Sequence, residues 1–221
     1  MTNTNIQLTS TISEDNKLTL ALQNIEMPQP GVDEVVVRIE AAPLNPSDLG
    51  VMFSAADMTT AVQSGTEQSP VITANVPEKF MPALKTRVGK ATPVGNEGAG
   101  TVIAAGSSPA AQALMGKTVA VIGGGSYRKF ICANVQNCLE LKAGTTAKEG
   151  ASSFVNPLTA LAMVETMRSE GHKAIIHAAA ASNLGQMLNR ICIADGIDLI
   201  NIVRKPEQET LLRDMGAKYV I

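Results

Sequence analysis

Lys173 to Arg204 reads KAIIHAAAASNLGQMLNRICIADGIDLINIVR. Ile175 and Ile176 lie in a short apolar run, and a tract of small residues follows from Ala178 to Asn183. Leu184, Leu188 and Ile191 then recur at helical spacing, and a second apolar run extends from Ile197 to Val203. The order is strand, tight small-residue turn, helix, strand. A turn of alanine and serine lets the backbone come close to a ligand. A helix that begins near Asn183 aims its unpaired N–H groups and the positive end of its dipole at that spot, which suits an anion such as a pyrophosphate.

The dinucleotide fingerprint G-x-G-x-x-G asks for three glycines. Here its positions fall on Ala180, Ser182 and Gly185, and only the last is kept, where the helix must pack closely on its strand. Ala180, Ala181, Ser182, Asn183, Leu184 and Gly185 are therefore the candidate phosphate-contacting residues. An ordinary β-α-β unit with a well-packed turn and no ligand would share this pattern. The end of the second strand favours a ligand. A ribose with a free 2′-hydroxyl calls for an acidic side chain there, whereas Arg204 and Lys205 offer two positive charges that suit a 2′-phosphate. The expected cofactor is NADPH rather than NADH.

At 221 residues the chain is long for one domain and short for two full ones. Apolar content of 45% and charged content of 17% describe a globular protein with ample core material, and a formal charge of −2 argues against nucleic acid as a partner. The start, MTNTNIQLTSTISEDNK, has no basic opening and no apolar core of a secretory signal, and no apolar run approaches the ~20 residues of a membrane span. Cys132, Cys138 and Cys192 lack C-x-x-C spacing, which predicts reduced thiols in a cytoplasm, packed as small apolar groups.

From Gln7 to Ile39 the pattern alternates with period two, as at Leu18, Leu20 and Leu22 and at Val35, Val37 and Ile39, and predicts strands of a barrel-like sheet. Ala41 to Gly50 leaves a strand and turns, with Pro46 at a first helical position after Asn45, a candidate cap. Val51 to Thr92 is irregular and is expected to carry some short structure. Further strands are predicted at Gly98 to Ala105, Val119 to Ile122 and Tyr127 to Ala133, the last two joined through Gly123, Gly124 and Gly125, where the chain reverses sharply. Helices are expected from Thr146 to Ser153 and from Asn156 to Arg168. Strands give way to helix-strand alternation near Gly144 to Gly150, so the expected domains are 1–149 and 150–221.

EAAPLNPSDLG at Glu40, PVGNEGAGTV at Pro93, FVNPLTALAMVE at Phe154 and HAAAASNLGQ at His177 stand in the order and with roughly the spacing of the medium-chain dehydrogenase/reductase superfamily, which the chain resembles. The likeness is closest to its zinc-free quinone oxidoreductase and enoyl-thioester reductase branch. The resemblance implies an α/β plus β architecture: a GroES-like β-barrel catalytic domain followed by an incomplete Rossmann (β-α-β-α-β) domain. It also implies hydride transfer from NADPH to a small-molecule quinone or conjugated enone, with no nucleic acid or membrane partner.

The zinc alcohol dehydrogenases of the superfamily hold a catalytic metal with a Cys in the first motif and a His-Glu pair in the second. Here Asn45 and Pro46 lie at the first place, and Asn96 stands before Glu97 at the second, so no metal is expected. By resemblance, Asn45 and Asn156 lie near the nicotinamide and offer amide N–H donors, and Asp48 braces the loop that carries Asn45. Each has a plain alternative: Asn45 as a helix cap, Asn156 as a turn residue before Pro157, Asp48 as a first-turn acid favoured by the helix dipole. The enoyl-thioester reductases carry a tyrosine proton donor a few residues after the NPSD motif, where this chain has Phe53. Tyr127 and Tyr219 read as strand residues.

After Arg204 one helix, Glu207 to Met215, and one strand, Lys218 to Ile221, are expected, which makes three strands of the family's six. The strand from Lys173 is then left with an open, apolar side that invites pairing. Two expectations follow. The chain is the N-terminal part of a reductase, which is the favoured one, or it is a complete, non-catalytic protein that binds nucleotide weakly or pairs with another subunit, as a homodimer or through the open sheet edge.

Overall fold

The structure, a computed structural model, describes residues 4–221. The chain divides into two compact units, one up to Ser152 and one from Ser153 to Ile221.

The first unit is strand-rich. In chain order its elements are β1 (Asn5–Ile12), β2 (Lys17–Ile25), β3 (Glu34–Ala41), α1 (Pro46–Phe53), β4 (Asp57–Thr66), β5 (Ser69–Asn75), α2 (Met81–Leu84), β6 (Thr92–Pro93) and β7 (Glu97–Ala105). They are followed by α3 (Pro109–Ala113), β8 (Thr118–Ile122), β9 (Phe130–Asn134), β10 (Cys138–Glu140) and α4 (Ala147–Gly150). One five-stranded sheet has the order β4-β5-β2-β1-β6, and the other β10-β8-β7-β3-β9. The two are stitched where β1 meets the segment before β9. Leu8 N–H donates to Tyr127 O and Lys129 N–H to Ile6 O, and the Asn5 side-chain amide pairs with both backbone groups of Phe130. This curled pair of sheets is the GroES-like domain.

The alternation of the sequence explains where its cores sit. Leu18 and Leu20 on β2 pack with Ile12, Val76 and Val94, while Val35 and Val37 on β3 pack with Val102, Val119, Val121 and Ile131. β3 lies between β7 and β9, and Val36 is buried as well.

The stretch 51–92, expected to carry some short structure, contains the β4-β5 hairpin and α2. One expectation needs correction here: of the two strands joined through Gly123 to Gly125, the second starts at Phe130, not Tyr127, and pairs with β3 rather than folding back on β8. The compact units divide after Ser152, and α4 packs on β3, β7 and β8 of the first unit. Thr146 caps α4, its Oγ accepting from Glu149 N–H while the Glu149 carboxylate reaches back to Thr146 N–H.

The second unit contains α5 (Val155–Ser169), β11 (Ala174–His177), α6 (Asn183–Asp195), β12 (Asp198–Asn201), α7 (Pro206–Asp214) and β13 (Tyr219–Val220). Its strands are parallel in the order β11-β12-β13, the 3-2-1 half of a Rossmann sheet. Pro157 falls in the first turn of α5, where a missing N–H costs nothing. Ala160 and Val164 of α5, Leu188 and Cys192 of α6 and Leu199 of β12 form the core, and Ala180, Leu212 and Ala217 form a second cluster under α7. α6 ends at Gly196 in the left-handed region, with Ile197 N–H closing on Cys192 O. Among the described residues β11 pairs only with β12, and Ile176 on it is 66% exposed. Among the described residues no helix is long and apolar enough to cross a membrane.

Candidate functional site

In the second unit β11 ends at His177, and Ala178 to Ser182 form the bend that leads into α6. Ser182 is the N-cap of α6, its Oγ accepting from Gly185 N–H at 3.1 Å, and Gln186 Nε2 donates to Ala181 O at 3.1 Å. The remaining glycine of the fingerprint is required by close approach. A Cβ at Gly185 would lie 2.3 Å from Ala180 O and 2.7 Å from Ala179 O, so α6 rests on the backbone of the bend.

Beside the bend lies a cavity of about 280 Å³, lined by Ala178 to Ser182, by Ile202, Val203 and Arg204 after β12, and by Gln208 of α7. The bend contributes side chains no larger than alanine and serine there. The cavity therefore stays open, at the carboxyl ends of parallel strands and next to a helix N-terminus. Arg204 is exposed, and its backbone N–H donates to Gln208 Oε1 at 3.1 Å.

The structure thus gathers Ala180, Ala181, Ser182 and Arg204 around one cavity, with Asn183, Leu184 and Gly185 forming the first turn of α6. Lys205 does not line the cavity and pairs with Glu207 at 3.8 Å. His177 sits at the head of the bend. Its Nε2 is buried without a hydrogen-bond partner, and burial holds the imidazole below its ordinary pKa against an opposing backbone hydrogen bond at Ala179.

In the first unit the turn before α1 and the loop before β7 are stitched together by side chains. Asp48 is 1% exposed. Its Oδ2 accepts from Asn45 N–H at 2.7 Å, and its Oδ1 from Asn96 N–H at 2.9 Å. Asn45, also buried, donates from Nδ2 to Oε1 of the buried Glu97 at 2.9 Å. Asn96 Nδ2 donates to Ser47 Oγ at 3.0 Å. Asp48, in the first turn of α1, thus bonds to the backbone of both the Asn45 turn and the loop before β7.

Tyr127, expected on a strand, instead joins this network. Its hydroxyl reaches Pro43 O at 2.7 Å and Asp48 Oδ2 at 3.2 Å. Burial, then the charges of Asp48 and Glu97, keep its phenol protonated well above the ordinary range. Phe53, at the end of α1, packs against the Ile12 and Leu18 core. Asn156 lies half-buried in the first turn of α5 in the second unit.

Sequence reasoning misses Tyr127 and Glu97 as members of this network. Glu97 stands in the PVGNEGAG motif, where the sequence marks it only as a place for a metal. Among the described residues no group of three or more His, Cys, Asp or Glu side chains is arranged to hold a metal ion.

No family model matches the chain. Among curated proteins it is 30% identical over 210 residues to the mitochondrial enoyl-(acyl-carrier-protein) reductase of Xenopus tropicalis, covering 91% of this chain and 51% of that one. It is 29% identical over 206 residues to the mouse protein of the same name, covering 90% and 48%. The chain thus spans about half the length of the curated relatives it matches. Among solved structures, one described as an NADPH:quinone reductase from Mesorhizobium loti superposes with a TM-score of 0.71 at 27% identity, covering all of this chain and 60% of that one. Four motifs in register, a GroES-like unit, a parallel 3-2-1 sheet and these relatives agree: over about half of their length the chain is similar to the quinone oxidoreductase and enoyl reductase-like branch of the medium-chain dehydrogenase/reductase superfamily.

Proposed function

We propose that this chain carries the catalytic unit and the cofactor-contacting bend of a zinc-independent, NADPH-dependent oxidoreductase that reduces a quinone or a conjugated enone. The observation that carries the reading is the open cavity beside the Ala178 to Ser182 bend, with Arg204 on its wall. The donor set fits the cofactor. The N–H groups at the start of α6 suit a pyrophosphate, and a guanidinium after β12 suits a 2′-phosphate better than a hydroxyl.

When bound, the nicotinamide supplies the hydride. The chain's own residues bind and orient. The turn of Ser182 to Gly185 receives phosphate, and Arg204 on the cavity wall neutralises charge. Asn45 offers an amide donor to the substrate oxygen that gains negative charge, with Asp48 holding the Asn45 turn in place, and Asn156 is a second candidate donor by its motif. These amide roles rest on the motifs.

One observation supports a metal-free reaction: Asn45 and Asn96 occupy positions where the zinc enzymes place ligands. An enoyl-thioester substrate is the second reading, favoured by the names of the curated relatives. Phe53, without a hydroxyl, supports the quinone or enone instead.

Small molecules are the proposed partners, with pairing of copies through the open edge of β11. A cytoplasmic location rests on three free cysteines without C-x-x-C spacing, the pattern of reduced thiols.

The test is a fluorescence titration of the full-length protein with NADPH and NADH. NADPH should bind more tightly, and Arg204→Ala should weaken it about tenfold while leaving NADH unchanged. Equal affinity for the two cofactors in both proteins would overturn the assignment.

A further inference from the structure

The network in the first unit has one member that lies in none of the four motifs quoted above. Tyr127 precedes β9, yet its hydroxyl reaches Pro43 O and Asp48 Oδ2 on the turn that carries Asn45. Its backbone is held on two sides as well, since Tyr127 N–H donates to Val94 O and Tyr127 O accepts from Leu8 N–H. Its ring lies against Gly95, where a Cβ would come within 2.6 Å of Tyr127 Cδ1 and where the backbone has φ +95°. Both the conformation and the ring therefore exclude a side chain at position 95. Tyr127 thus sits where β1, the loop from Val94 to Glu97 and the turn from Pro43 to Asp48 converge.

Asn45 is aimed by two carboxylates. Glu97 accepts from its side-chain amide, and Asp48 accepts from its backbone N–H through the same Oδ2 that Tyr127 reaches. The phenol touches no part of the Asn45 amide in these contacts. What it holds is the far end of the turn at Pro43 and the carboxylate that anchors the near end.

We propose that Tyr127 is a positioning residue for the reduction step: its hydroxyl bridges Pro43 O and Asp48 Oδ2 and so keeps the Asn45 amide in its working direction. This role rests on the quinone or enone reductase reading of Asn45. It needs no proton transfer from the phenol.

The test is a double-mutant cycle in the full-length protein, with NADPH and a simple 1,4-naphthoquinone as probes. Tyr127→Phe keeps the ring and removes the bridge. It should lower kcat about tenfold with NADPH affinity and melting temperature nearly unchanged, because a misdirected donor costs the transition state rather than cofactor binding. Asn45→Ala should lower kcat by at least as much. In the double variant the Tyr127→Phe effect should vanish, since a residue acting only through Asn45 has nothing left to position. Multiplying effects, or full kcat in Tyr127→Phe, would overturn the positioning role and leave the reductase reading standing. A wild-type protein that reduces neither quinone nor enone would remove that reading and this role with it. Should Tyr127→Phe not fold, Tyr127→Met, which fills the same space without a hydroxyl, takes its place in the cycle and is read in the same way.

Discussion

The two units place their functional residues in opposite ways. In the first, buried Asn45, Asp48 and Glu97 satisfy one another and neighbouring backbone groups, so the geometry is made by side chains bonded across distant segments. In the second, the bend from Ala178 to Ser182 contributes little but backbone and Cβ atoms, and its use comes from the space it leaves beside Arg204. A site built from bonds fails when a partner is removed. A site built from empty space fails when something is added.

That difference can be broken from either side. The largest effect is expected from adding bulk to the second unit. Gly185→Val would put carbon 2.3 Å from a backbone oxygen that cannot move aside without the strand, and should cost the unit about 4 kcal/mol or more and abolish NADPH binding. Calorimetric unfolding together with cofactor titration checks it, and a normal melting profile would mean that α6 does not rest on the bend.

Removing a partner from the first unit comes next. Asp48→Ala leaves Asn45 N–H, Asn96 N–H and the Tyr127 hydroxyl without their shared acceptor and should cost about 2–4 kcal/mol. Titration of NADPH should be unaffected if that site belongs to the second unit's own bend. A cofactor affinity that collapses with Asp48→Ala would erase the contrast. The smallest expected effect is none: dialysis against EDTA should leave activity unchanged, and activity lost to the chelator and restored by zinc would return a metal to the first unit.

The bend, the helix after it and the three parallel strands were legible because their signal is local. Small residues between two apolar runs, followed by 3.6-residue spacing, allow little else. The β4-β5 hairpin was not legible, because β4 is exposed along nearly its whole length and shows almost no apolar contrast along the chain. Tyr127 was hidden for another reason. Its hydroxyl partners lie 84 and 79 residues earlier in the chain, and a tyrosine beside three glycines looks like any strand residue until those segments meet.

Periodicity and the small-residue bend were thus sufficient to indicate a barrel-like domain followed by a partial Rossmann one, since each depends on neighbours a few residues apart. Which side chains converge on Asn45, and that Lys205 turns to Glu207 while Arg204 lines the cavity, was decided only by the folded chain. Hydrogen bonds act over about 3 Å between groups that the sequence keeps far apart, and burial makes those bonds obligatory.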